Sequence, residues 1–405
     1  MQSGNTRIIF LYERKKKRED KLMKHTPKIR NSSIELLRII SMLMVVAHHF
    51  VVHNIDNAWD INGDGSRFVV AVLAAPLGKI SIVSFFAVTA WFLCEKKSSL
   101  RVSFQRAWKM ELEVLFYAWG MCILFVIFDR RNVNVSTILK SFLPVSTDLW
   151  WYVTSYILFL LLFPFLNKGL YLIGKQYHLC LCLVTIAVWG GAQGVLPHGY
   201  MDLANSVAFV WIYILISYYK WYMKAFSIGV SAWIAGAGFT LCLLPRFVFG
   251  YLPTVADLPY PLNRVRSTAA DIFSTAWKLP VMMAGLGLVL VFTAFSFNNR
   301  VINWLAKSAF SVYLITEYPL MRVLLWKNTF TFSSLGNRSL PVAVSFIAIV
   351  FLIYFLCVLV DTLRRLIFKF MIDKPADWLF KKVWDDFFLK MKILGKSNDC
   401  IPDEG

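Results

Sequence analysis

"LRIISMLMVVAHHF" (Leu37–Phe50) decides how this chain is read. The stretch is apolar enough to cross a bilayer as a helix, yet it carries Arg38, His48 and His49. A charge at mid-membrane costs from ~2.5 to more than 10 kcal/mol, so ionisable groups there are functional candidates by default. Arg38 and His49 are eleven residues apart, ~20° past three full helical turns. They therefore share one helix face, ~16 Å apart along it, while His48 lies ~100° round from His49. Glu35 precedes Arg38 by three residues, within reach of an ion pair. A polar lumen running through much of the bilayer explains two such groups on one face at two depths. Snorkelling of Arg38 to the headgroups explains Arg38 alone.

The rest of the chain fits that setting. It has 405 residues, 58% hydrophobic and 16% aromatic, against ~45–50% apolar for soluble domains. The excess falls in blocks of about 17–25 residues, the length of a membrane-crossing helix. The expected fold is all-α: a polytopic bundle of about ten transmembrane helices. They are placed near 33–53, 76–94, 110–128, 149–166, 177–190, 203–219, 228–244, 270–295, 309–326 and 341–360. A β-barrel would instead show alternating ten-residue segments.

The net charge of +19 reads as positive-inside bias rather than a nucleic-acid surface. With the N-terminus inside, inner segments carry about 30 Lys/Arg and outer loops about 9. Both termini are then cytoplasmic. Residues 1–30 form a basic cytoplasmic tail, 31–361 the membrane domain and 362–405 an amphipathic, charged cytoplasmic tail suited to the inner leaflet. Met23 is an alternative start, since "MKHTPKIRNSSIELLR" already supplies a basic flank. The seven cysteines read as small core residues, not disulfides or metal ligands. "DINGDGS" (Asp60–Ser66) opens like a calcium loop, but its twelfth position is Ala71, so it reads as a polar turn. No metal site is expected.

"NSSIELLRIISMLMVVAHHF" resembles the opening of the acyltransferase family 3 membrane proteins, whose hallmark of Arg, ten residues and His is matched by Arg38 and His49. Four further stretches resemble the family in order: "GKISIVSFFAVTAWFL", "FQRAWK", "LWWYVTSYILFLLLFPFLNK" and "SAFSVYLITEYPLMRVLLW". Thr89-Ala90 departs from a usual Ser-Gly, Lys109 from a second Arg, and Thr316 from a frequent His.

The resemblance implies a membrane O-acyltransferase, commonly an O-acetyltransferase. Its donor is cytoplasmic acyl-CoA, and its acceptor a hydroxyl of a cell-surface polysaccharide or lipid-linked glycan precursor. No permanently bound cofactor is implied, and beyond these substrates only membrane lipids are expected as partners. In that reading His49 and Arg38 are catalytic, His49 as base or transient acyl carrier. Arg101, Arg106 and Lys109 hold the CoA phosphates. Glu35, Glu317 and Arg322 are pocket candidates. The competing reading is a transporter or flippase of glycan or acyl groups. The absence of an internal repeat weighs against it. A structural scaffold would leave Arg38 and His49 without a reason.

Overall fold

A computed structural model describes residues 30–95, 99–192, 204–255, 270–271, 273–336 and 341–398. The basic tail and Met23 lie outside the described residues, apart from Arg30. No strand occurs among the described residues. The architecture is a helix bundle built around α1 (Ser32–Val52). Around it run α2 (Leu77–Leu93), α3 (Leu100–Phe128), α4 (Trp151–Thr185), α5 (Asn205–Tyr222), α6 (Ile228–Pro245) and α7 (Leu279–Thr293). Then come α8 (Ala309–Thr316), α9 (Pro319–Val323), α10 (Val342–Ile367) and α11 (Asp373–Asn398).

Among the described residues, six helices are long and apolar enough to cross a membrane: Ser32–Val52, Asp64–Leu93, Leu100–Phe128, Trp151–Gly191, Ile228–Thr254 and Val342–Phe387. The expectation of about ten spans is thus met only in part, and the departures have local causes. In the segment expected over 270–295 the helix is short, running from Leu279 to Thr293. The segment expected over 309–326 is broken between α8 and α9. Tyr318, ahead of Pro319, is extended (φ −60°, ψ 131°), because a proline ring disfavours helical backbone in the residue before it.

The segments expected over 149–166 and 177–190 fall mainly on α4 and on the π-helical turn that continues it (Ile186–Ala192), and α4 is interrupted at Gly174 (φ 72°, ψ 178°). The ring contacts show a reversal there. Before the glycine, Phe159 packs on Tyr213 and Tyr171 on Trp221. After it, His178 packs on Trp221, and Trp189 returns to Trp211. The two arms therefore run in opposite directions along α5. A Cβ at residue 174 would meet nothing within 4 Å, so the requirement for glycine is conformational. Gly174→Ala should cost about 1–3 kcal/mol in backbone strain. A lowered unfolding temperature of the purified protein would register it, and an unchanged one would show that the turn relaxes freely.

Both ends of α1 are pinned. At the Arg38 end, Ser33 Oγ donates to Phe292 O at 2.7 Å, and Ser32 N to Phe297 O at 2.8 Å. Midway, the Ser41 and Ser84 hydroxyls meet at 2.7 Å between α1 and α2. At the other end Phe50, fully buried, packs against Trp326, Phe332 and Phe346 with ring centroids 4.9, 5.5 and 5.0 Å away. The rotation and depth of His49 are set by these neighbours.

A buried polar network ties α3, α8 and α10 together at the Arg38 end. Asp361 accepts from Ser311 Oγ at 2.6 Å, Tyr117 Oη at 3.0 Å and Arg364 Nε at 2.7 Å. Ser311 also lies 2.8 Å from Glu113. The network fixes α8, which carries Tyr313 and leads to Glu317.

α10 runs on without a break across residues 361–362 toward α11. α11 lies along the first half of α3: Trp108 Nε1 donates to Ala376 O at 3.2 Å, and Trp384 packs on Phe104. In the "DINGDGS" segment Asn62–Gly63 form a bend and a helix starts at Asp64, so the expected polar turn is confined to its first half. Its Asp64 is 3.2 Å from Arg67, whose Nε donates to Ile61 O. Of the described cysteines all are free, and Cys180 is exposed on the bundle rather than in the core.

Candidate active site

The face of α1 expected to carry Arg38 and His49 lines a chain of two cavities. The first, about 410 Å³, opens at the Arg38 end. Its wall includes Arg38, Glu35, Arg106, Lys109, Lys307 and Tyr156. The second is only about 30 Å³ and lies against His49, with Met42 and Val45 beside it on the same stripe. Phe85, Tyr152 and Phe310 belong to the walls of both. Three aromatic side chains thus form the partition between a basic vestibule and the histidine.

In the vestibule, Glu35 pairs with Arg38 at 3.3 Å and with Arg30 at 3.5 Å. The i, i+3 pair expected from the sequence is therefore present. Arg38 remains partly open, with 27% of its side chain exposed, and faces the cavity with Arg106. Thr89, at the position that departs from the family pattern, also lines it.

The three loop cations do not stay together. Arg101, expected among the donor-binding cations, does not line the cavity. α11 lies over this part of α3 and brings Asp385 to within 3.8 Å of Arg101. Lys109 lines the cavity but is also 2.9 Å from Asp377, which accepts from Gln105 as well. Among the three, Arg106 alone lines the cavity without an ion pair to an acid among the described residues.

At the other end of α1 the sequence separates two histidines that the fold sends to different tasks. His48 Nδ1 is bound to the Ala75 carbonyl, and its ring lies against Gly78, where a Cβ would collide with it. It borders a separate cavity of about 620 Å³ shared with Trp59, Lys79, Arg246 and Asp271. His49 Nδ1 instead lies 3.0 Å from Glu317 Oε1. The pair is close in distance but off the line of a good hydrogen bond, as is common before a substrate tightens a site. Glu317 is also 3.6 Å from His53 Nε2 and 3.6 Å from Arg322 Nη1.

Glu317 reaches His49 because of the break at Tyr318-Pro319. It sits just past the end of α8, with its N–H still bonded to Tyr313 O. Thr316, at the position where a second histidine is frequent, is buried and its hydroxyl donates back to Val312 O. His53 was not among the residues expected at the site. Its position four residues after His49, on the same helical face, was the signal available. Tyr313 and Tyr152 were missed as well, since tyrosines in apolar spans carry no distinguishing pattern.

The arrangement can do acid–base chemistry on a group inserted between the aromatic partition and His49. A carboxylate at Nδ1 fixes the ring orientation and leaves Nε2 as the free nitrogen. The basic vestibule can hold an anionic carrier.

The described residues form an all-helical bundle with membrane-length apolar helices and a histidine–carboxylate pair at the end of a basic vestibule. The acyltransferase domain family matches residues 31–362, and the chain belongs to that family. It is thus a membrane acyltransferase. No curated protein and no solved structure gives a significant match.

Proposed function

We propose that this is a multi-pass cell-membrane O-acyltransferase, specifically an O-acetyltransferase. It moves an acyl group from cytoplasmic acyl-CoA to a hydroxyl of a cell-surface polysaccharide or its lipid-linked precursor. The observation that carries the reading is the line of cavities from Arg38 to His49, basic at one end and ending on a histidine at the other. Loops and termini rich in Lys and Arg belong on the cytoplasmic side, which puts the vestibule inside. Residues 31–361 form the membrane domain in this reading, and the two tails are cytoplasmic.

Arg38, Arg106 and Lys109 receive the anionic CoA head group through charge-assisted hydrogen bonds. The pantetheine arm then points toward the aromatic partition, which must part to bring the thioester to His49. His49 Nε2 removes the proton of the acceptor hydroxyl as its oxygen attacks the thioester carbonyl. The C–S bond breaks as the tetrahedral intermediate collapses, and the CoA thiolate takes the proton back from His49. Glu317 holds the imidazole and balances the charge it gains.

Purified protein given radiolabelled acetyl-CoA and a glycan acceptor should transfer label to the glycan. Translocation of unmodified substrate without transfer would favour the transporter reading instead. Donor binding is tested separately. Arg106→Ala with Lys109→Ala should raise KM for acyl-CoA several-fold with little change in kcat, since ground-state phosphate contacts are lost. Arg101→Ala should leave KM unchanged. Equal effects of Arg101 and Arg106 would mean that the loop acts only through its overall charge.

A further inference from the structure

We propose that His49 Nδ1, His53 Nε2 and the Glu317 carboxylate form a binding site for one Zn²⁺-class divalent cation, and that its occupation silences acyl transfer. The silencing rests on the reading of His49 as the base; the site itself does not.

One ligand atom from each of the three residues lies within 4.8 Å of the others, and His49 Nδ1 and His53 Nε2 stand 3.0 and 3.6 Å from the Glu317 carboxylate. His49 lies in the last turn of α1 and His53 is its C-cap, four residues on, so both rings reach the same side. Glu317 comes from the break after α8. Two imidazoles and a carboxylate, with a fourth position open, are a recognised zinc donor set, with Zn–N near 2.0–2.1 Å. Tetrahedral ligands at that bond length stand about 3.4 Å apart, so closing from the present spacing needs side-chain shifts of about 1 Å. His48 cannot contribute, because its Nδ1 is committed to Ala75 O.

Arg322 competes for the site. Its guanidinium is 3.6 Å from Glu317, but 40% of its side chain is exposed, so it can swing away when a cation enters. The cation and the guanidinium are alternatives for the same carboxylate.

The consequence follows from the two ring nitrogens. In the active arrangement Nδ1 carries the proton beside Glu317, and Nε2 is the free base. A metal on Nδ1 leaves the ring proton on Nε2, which then has no lone pair for the hydroxyl proton. Glu317 is withdrawn from its role at the same time. The vestibule is untouched, so the cation should lower kcat and leave KM for acyl-CoA unchanged.

The test uses full-length protein in detergent, stripped with a chelator and titrated with zinc chloride by calorimetry, with magnesium chloride as the contrast. The expected result is one equivalent of zinc bound and no comparable uptake of magnesium. His53→Ala and Glu317→Gln should each weaken zinc by at least about 10–100-fold, the loss seen even for outer-sphere partners. His48→Ala should bind as the parent does. Arg322→Gln should bind zinc more tightly, a gain that misfolding cannot imitate. No stoichiometric zinc in the parent protein, or unaltered binding by His53→Ala, would overturn the site. Binding without loss of transfer activity would overturn the silencing. Stripped protein that transfers acyl groups but takes up no zinc would sink this inference and leave the proposed function standing. Stoichiometric zinc in a protein inactive with every acyl-CoA donor would uphold the site and sink the function.

Discussion

His49→Ala should reduce acyl transfer by about 10²–10⁴-fold, the usual cost of removing a positioned general base, while the protein still reaches the membrane. His48→Ala should do far less to the rate. The two residues are adjacent, so solvent exposure, depth and local helix content change little between the variants. What differs is direction. His49 faces Glu317 and the small cavity behind the aromatic partition, whereas His48, ~100° round the helix, is tied to the Ala75 carbonyl. His48 does support packing against Gly78, so its loss should register first in thermal stability. An inactive His48→Ala beside a normal His49→Ala would mean that α1 is rotated from this arrangement. Normal activity in both would make the histidines packing residues and return the transporter reading.

Glu317→Gln carries the second large effect. The amide keeps the size of the carboxylate but loses its charge, so the imidazolium formed during transfer is no longer balanced. A decrease in kcat on the order of 10²-fold is expected, with KM for acyl-CoA unchanged because the vestibule is remote from the substitution. Glu317→Asp should recover part of the rate. A purely structural carboxylate would behave otherwise, lowering the yield of folded protein and the rate of every variant alike. Arg322 pairs with the same carboxylate from a more exposed position. Its removal should therefore cost less than that of Glu317.

Much of the site's framework follows from local periodicity. Arg38 and His49 share a face in any α-helix that includes both, and Glu35 reaches Arg38 from three residues away whatever surrounds them. The break that frees Glu317 is also local in origin, since Pro319 imposes it; an apolar run read by length alone conceals it. The fate of the basic loop is different. Arg101 and Lys109 look alike in the sequence, as cations on one inner segment. Both are paired to acids, Asp385 and Asp377, on a helix about 270–280 residues further on, and no local pattern announces those pairings. Gly174 shows the same limit. The two apolar segments were visible, but only the contacts with α5 reveal that the chain reverses at that residue.

By itself the sequence determined the helical class, the apolar lengths, the family resemblance and the common face of Arg38 and His49. Helix geometry and hydrophobicity act over neighbouring residues, so a linear text carries them. The tertiary structure decided which histidine meets a carboxylate, which cations remain in the vestibule, and that His53 joins the cluster. Those outcomes depend on the rotation and depth of α1 against α2, α8 and α10. Packing of Phe50, the Ser41–Ser84 contact and the Asp361 network set that rotation and depth together, through groups far apart in the chain.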